Sequence, residues 1–124
     1  MARFFYCRMT MKKDYPQIAK DLSQEIGALR AGLPNVMQAF SDLARNATQK
    51  GALDIKTKEL VACAIAIALR CDGCIAFHVK AARRAGTTRE ELLETIGMAI
   101  YMGGGPSMVY GAEALSAFDE FEAL

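Results

Sequence analysis

The sequence predicts an all-α protein of about six helices. Apolar residues recur at steps of three and four, capping residues and glycines mark helix ends, and no segment alternates with period two long enough to make a strand. The 124 residues are 52% hydrophobic and 23% charged, which suits one domain with an apolar core that needs no disulfides. We assign residues 13–124 to this domain and residues 1–12 to a tail without a function.

The first two helices are predicted to form an antiparallel hairpin. One helix face is apolar through residues 15–33, after Asp14 as N-cap and with Pro16 in the first turn. Pro34 interrupts it, and a second helix is predicted over residues 35–49. The apolar side of this second helix consists of Val36, Met37, Phe40, Leu43 and Ala44.

The third and fourth helices follow without a long loop. Asp54 is predicted to cap a helix over residues 55–70, whose alanine-rich composition suits close packing on several sides. Asp72 and Gly73 are expected to end it. A fourth helix is then predicted over residues 74–85, with basic residues near its end and a glycine as its stop.

The last two helices also begin at recognisable signals. Thr87 or Thr88 followed by Glu91 forms a capping box, and apolar residues continue from there with helical spacing. The glycines and proline of residues 103–106 end this fifth helix and open a sixth, which is predicted to run through Leu124. No lysine followed by serine or threonine comes after the glycines, so they are not a phosphate-binding loop.

Charge and composition exclude several classes of protein. The formal net charge is +1, and residues 1–13 hold four basic and no acidic residues, so residues 14–124 sum to −3, which argues against a nucleic-acid partner. The longest apolar run, residues 60–69, is half of the roughly 20 residues of a membrane span. Four unevenly spaced cysteines favour a reducing cytoplasm over a secreted disulfide scaffold. We therefore expect no nucleic-acid or membrane partner.

One cluster carries chemistry. Cys71 and Cys74 form a C-x-x-C motif, and His78 lies four residues after Cys74, on the same helix face. Cys74 falls in the first helical turn, where the helix dipole and an adjacent imidazole favour a thiolate, and the partner thiol permits a dithiol–disulfide cycle. Glu59 begins an apolar stretch, and if the chain turns back after the third helix, its carboxylate can approach and orient His78.

Plainer interpretations of the same residues stay open. Cys71, Cys74 and His78 could supply three zinc ligands, or the cysteines could be ordinary half-buried thiols. Glu59 alone could be a first-turn acid that the helix dipole favours. Cys63, among alanine and isoleucine, is predicted to be a small core residue. We expect no bound metal or organic cofactor.

The pattern resembles a known family. Glu59, Cys71, Cys74 and His78, within LDIKTKELVACAIAIALRCDGCIAFHVKAARRAG and followed by TREELLE and GGGP, are similar to the active-site pattern of alkyl hydroperoxidase D-like proteins of the carboxymuconolactone decarboxylase superfamily, over residues 53–118. The resemblance implies a helical homo-oligomer, a trimer or hexamer, with thiol peroxidase or disulfide reductase activity. It also implies that Cys74 attacks a hydroperoxide, Cys71 resolves the sulfenic acid, and Glu59 and His78 relay protons.

The chain departs from this pattern at Gly73, where the family has a second histidine directly before the second cysteine. If that missing relay limits the rate, a histidine at position 73 raises peroxidase activity. The implied partners are a hydroperoxide or disulfide substrate and a lipoyl-type or thioredoxin-like dithiol reductant. The alternatives are a carboxymuconolactone decarboxylase-like enzyme, a branch that lacks the paired cysteines, and a non-enzymatic or metal-binding helical oligomer. Apolar segments such as residues 60–69 and 96–102 independently predict a homo-oligomer.

Overall fold

Helices account for nearly all of the described residues. The computed structural model describes residues 12–121, and within them the all-α prediction is confirmed, with six helices and no strand. The predicted tail up to residue 11, Cys7 within it and residues 122–124 lie outside this range. The helices are α1 (Tyr15–Gly32), α2 (Pro34–Thr48), α3 (Ile55–Ala68), α4 (Asp72–Arg84), α5 (Arg89–Gly103) and α6 (Gly105–Glu120).

The helices begin at the caps that the sequence predicts. The Asp14 side chain accepts a hydrogen bond from a backbone N–H of the first turn of α1 at 3.0 Å, and Asp54 does the same for α3 at 2.8 Å. Of the two threonines before α5, Thr88 is the cap. Its hydroxyl accepts from the Glu91 N–H at 3.1 Å, and the Glu91 carboxylate accepts from the Thr88 N–H at 2.9 Å.

The turn between α3 and α4 corrects the prediction that Asp72 and its neighbouring glycine break a helix and that α4 starts two residues later. Asp72 is instead the first residue of α4, and Cys71 is its N-cap. Two hydrogen bonds of 3.1 Å satisfy carbonyl groups at the C-terminal end of α3. The Cys71 N–H donates to the Ala66 carbonyl, and the Arg70 N–H donates to the Ile67 carbonyl. Arg70 takes the left-handed conformation, with φ of 57°. Because this turn is so short, both cysteines lie at the start of α4.

The core is organised around α4, which packs against α1, α3 and α6. Its apolar face is fully buried, and α3, α5 and α6 contribute the rest of the interior. Cys63 is 0% exposed, which confirms it as a core residue. No helix within residues 12–121 has the length and apolarity needed to cross a membrane. The buried side chains include Cys63, Ile67, Ile75, Val79, Leu92, Ala114 and Phe118.

Several apolar faces remain uncovered. The predicted hairpin partner α2 packs beside α1, yet none of its residues is buried. Its apolar stripe faces outward, with Val36, Phe40 and Leu43 exposed by 61%, 62% and 62%. On α5, Tyr101 and Met102 are exposed by 80% and 77%. Within residues 12–121, one chain therefore leaves more large apolar side chains in solvent than scattered surface positions would explain.

Candidate functional site

The two cysteines of the C-x-x-C motif are half-buried free thiols that interact directly. Cys71 serves as the N-cap of α4, and its sulfur accepts a hydrogen bond from the Cys74 backbone N–H over 3.2 Å. The Cys74 thiol also hydrogen bonds the Cys71 sulfur. This sulfur therefore receives the hydrogen bond that the open helix N-terminus offers, as an N-cap oxygen does in other helices.

This arrangement differs from the sequence-based expectation of a lowered Cys74 pKa. Burial raises the pKa of Cys74 to about 11, and the hydrogen bond to Cys71 and the charge of an ionised Cys71 act in the same direction. Burial is the largest cause, and the Cys74 backbone N–H at the helix start donates to the Cys71 sulfur. In this arrangement Cys74 is protonated near neutral pH, so its use as a nucleophile requires a base.

Glu59 and His78 are in contact, as the sequence predicts for a chain that turns back after α3. The Glu59 Oε2 atom of α3 lies 2.8 Å from the His78 Nδ1 atom of α4. Glu59 is buried, with 7% of the residue exposed, whereas the His78 side chain is 36% exposed. An ionised carboxylate can only accept, so Nδ1 donates to it and Nε2 is left as the nitrogen that exchanges protons. Glu59 therefore fixes the Nδ1 atom of His78, and the Nε2 atom is left to take up and release a proton.

The zinc interpretation finds no support in this geometry. Within the described part of the chain, no three histidine, cysteine, aspartate or glutamate side chains converge as metal ligands would. Cys71 and Cys74 contact each other, and the His78 Nδ1 atom is engaged by Glu59.

Gly73 lies under the first helix. A Cβ atom built on Gly73 would come within 2.6 Å of the Cδ1 atom of Leu22 in α1. Any side chain at this position requires Leu22 to move, so the location of the family's second histidine is filled here by a leucine methyl group. A histidine at position 73 would therefore have to displace Leu22 before it could act as a relay.

A second polar cluster, which the sequence did not reveal, reaches the same turn. The Lys13 Nζ atom lies 3.1 Å from the Asp72 Oδ1 atom and 3.0 Å from both carboxylate oxygens of Glu113. The Tyr15 hydroxyl donates to Glu113 at 2.9 Å, and the Lys13 ammonium lies 5.1 Å from the Tyr110 ring centre. Burial opposes the charge of Lys13, but the hydrogen bonds and charges of Glu113 and Asp72 outweigh it and raise its pKa. The partners lie 59 and 100 positions away, so no local signal could have found them.

Comparisons with known proteins fit this architecture. The family model for the carboxymuconolactone decarboxylase family matches residues 34–117. An uncharacterized protein of Cupriavidus necator is 39% identical over 113 residues, which span 91% of this chain and 100% of that protein. An uncharacterized protein of the cox locus of Paracoccus denitrificans is 40% identical over 93 residues, 75% of this chain and 83% of that protein.

Solved structures agree. A carboxymuconolactone decarboxylase family protein from Legionella pneumophila superposes with a TM-score of 0.84 at 54% identity, covering 86% of this chain and 96% of that one. A Thermotoga maritima member, for which involvement in antioxidative response is named as possible, has a TM-score of 0.77 at 26% identity and covers 85% and 90%. These matches confirm the resemblance that the cysteine, glutamate and histidine pattern indicated. The chain belongs to the carboxymuconolactone decarboxylase family.

Proposed function

We propose that this protein is a thiol-dependent oxidoreductase that reduces hydroperoxides or disulfides with the Cys71–Cys74 pair. The observation that carries the proposal is the contact between a buried carboxylate and the chain's one histidine, on the helix that the cysteine pair opens. A dithiol at the start of a helix, with an imidazole one helical turn later that a carboxylate orients, supplies the nucleophile, the resolving thiol and the base that thiol redox chemistry uses.

For a hydroperoxide, the Cys74 thiolate attacks the terminal peroxide oxygen and the O–O bond breaks. The sulfur becomes a sulfenic acid, and the departing alkoxide takes a proton and leaves as the alcohol. Cys71 then attacks the Cys74 sulfur, releasing water and forming the disulfide. An external dithiol of lipoyl or thioredoxin type reduces this disulfide and is itself oxidised, which restores both thiols.

His78 is the proton carrier in this proposal. Because the pKa of Cys74 is raised to about 11, few Cys74 thiolates exist at neutral pH without a base. His78 lies one helical turn after Cys74, and Glu59 fixes its Nδ1 atom at 2.8 Å, so Nε2 can take the thiol proton and return it to the leaving oxygen. Glu59 orients the ring and stabilises the imidazolium that forms.

Family membership and the antioxidative response named as possible for the Thermotoga maritima protein support this proposal. A dithiol that must return to its reduced form in each cycle suits the cytoplasm, where thiols are kept reduced. The uncovered apolar faces of α2 and α5 favour a homo-oligomer, and the family resemblance favours a trimer or hexamer.

The test is peroxide consumption by the reduced protein with a panel of dithiols, combined with thiol counting before and after oxidation. We expect a reversible loss of two thiols, no turnover in Cys74→Ser, and a sulfenic acid on Cys74 in Cys71→Ser that dimedone traps. Cys63→Ala is the control for the thiol count, since the Cys63 thiol is 0% exposed and should not be lost on oxidation. The proposal would be refuted if the number of free thiols did not change after treatment with peroxide, or if the Cys74→Ser variant had normal turnover.

A further inference from the structure

We propose that Lys13 is a positioning residue for the cysteine pair: it neutralises Asp72 and fixes the first turn of α4 so that a thiolate forms there more readily. The inference rests on the proposed redox function, because it assigns a role in the reactivity of the same thiols. Lys13 lies before α1, outside the sequence pattern that marks the site.

Asp72 has an unusual location. It stands between Cys71 and Cys74 as the first residue of α4, so its carboxylate shares one helical turn with both sulfurs. A negative charge at a helix N-terminus stabilises the helix, but the same charge opposes ionisation of a neighbouring thiol. An unpaired Asp72 would therefore hinder the chemistry that the turn is built to perform.

Lys13 supplies the missing positive charge. Its ammonium lies 3.1 Å from Asp72 and 3.0 Å from Glu113, and the latter also accepts from the Tyr15 hydroxyl. The Lys13 side chain is 37% exposed and Asp72 is 42% exposed, so solvent weakens the pair without removing it. Glu113 of α6 holds the lysine, and the Tyr15 hydroxyl of α1 in turn holds Glu113, which restricts the position of the charge.

Other charged groups lie around the turn, and a test must separate their effects on the thiols from the effect of Lys13. Glu113 approaches from α6, while Glu59 of α3 and His78 of α4 form their own pair. Lys12, next to Lys13, lies 3.9 Å from Glu120 instead of Asp72, and its side chain is 74% exposed. Lys12 therefore provides a matched control that changes the net charge equally without touching the turn.

The experiment measures the rate of alkylation of the reduced, full-length protein by uncharged iodoacetamide as a function of pH, with mass spectrometry to identify the modified cysteine. Lys13→Met should move the rate profile to higher pH and slow alkylation near neutral pH by about threefold, the scale of a half-exposed ion pair. Lys13→Arg, which keeps the charge, and Lys12→Met should leave the profile in place. Asp72→Asn should move it in the opposite direction.

The double variant Lys13→Met with Asp72→Asn identifies the route of the effect. If Lys13 acts through Asp72, removing the lysine should change the profile clearly less once the carboxylate is gone. Equal profiles for Lys13→Met and Lys12→Met, or an undiminished Lys13 effect in the Asp72→Asn background, would overturn the proposal. Should Lys13→Met fail to fold, an Asp72→Asn profile that matches the wild type would overturn it equally. These readouts require no turnover, so failure of the peroxidase assay is distinguishable from failure of this inference.

Discussion

A side chain at position 73 should be accepted only when Leu22 gives way. The Cβ atom of Gly73→Ala would lie 2.6 Å from the Leu22 Cδ1 atom, whereas carbon atoms pack best at about 3.5–4.0 Å. Alanine gains up to about 1 kcal/mol over glycine within a helix, but an added methyl group in packed surroundings costs about 1–3 kcal/mol. We expect Gly73→Ala to lower the free energy of unfolding by about 1 kcal/mol.

Leu22→Ala removes the obstruction and turns this expectation into a double-mutant cycle. Leu22 is half-buried, so its truncation alone should cost about 1–2 kcal/mol. In that background Gly73→Ala should be neutral or stabilising, which gives a coupling free energy of about 1–2 kcal/mol in urea unfolding. Gly97→Ala on α5 is the control, since no atom lies within 4 Å of its Cβ position. Additivity within about 0.5 kcal/mol would refute the packing argument.

The same cycle tests the missing relay. Gly73→His should reduce peroxide consumption when Leu22 is present, because the imidazole displaces the side chain that packs over the cysteine turn. In the Leu22→Ala background the ring has room beside Cys74, and we expect the histidine to raise activity there. A gain in the wild-type background would show that Leu22 moves aside without consequence.

Three further predictions follow from the structure. His78→Ala should slow peroxide or disulfide reduction by about 10²-fold or more, and Glu59→Gln should slow it less because an amide oxygen can still accept from Nδ1; near-normal turnover in His78→Ala would exclude the proton-carrier role. Burial raises the pKa of Cys63 from 9.0 to about 12, so above pH 9 the unfolded chain releases a proton that the folded chain keeps. The Cys63 contribution to the free energy of unfolding should therefore fall as pH rises from 9 to about 12, by up to about 1.4 kcal/mol per pH unit, and Cys63→Ala should reduce the overall slope by that amount; an unchanged slope in chemical unfolding would contradict it. Light scattering should show an assembly larger than one chain, and Phe40→Glu, on the uncovered face of α2, should reduce its mass; a wild-type monomer at micromolar concentration would disprove the interface.

Local signals made the helices predictable. Asp14, Asp54 and Thr88 each cap a backbone N–H group three residues away, so sequence neighbours determine the outcome. The Glu59–His78 contact was also within reach, because a short turn between two helices brings their faces together. Both kinds of feature involve residues that are close in sequence or that lie on two helices joined by one short turn.

Features that depend on distant residues were not predictable. The partners of Lys13 lie 59 and 100 positions away, and the crowding of Gly73 by Leu22 depends on how α1 crosses the start of α4. The apolar periodicity of α2 indicated a helix face but not what covers it, since the pattern is the same for a core and for an interface. The raised pKa of Cys74 depends first on how deeply the surrounding helices bury the thiol and then on its contact with Cys71, which are both results of tertiary packing.

Cys71 belongs to two helices at once, which links the redox state of the pair to the folding energetics of the bundle. Its N–H closes α3 at the Ala66 carbonyl, while its carbonyl accepts from the Ile75 N–H and its sulfur from the Cys74 N–H to open α4. The Cys71 sulfur accepts this cap hydrogen bond in the dithiol, so a disulfide that weakens the bond is disfavoured and the cap favours the reduced protein. If the cap is worth about 1 kcal/mol more in the dithiol, it raises the reduction potential of the pair by about 20 mV. Substitutions that strengthen or weaken this one helix end thereby become a means of tuning the protein as an oxidant, without altering either cysteine.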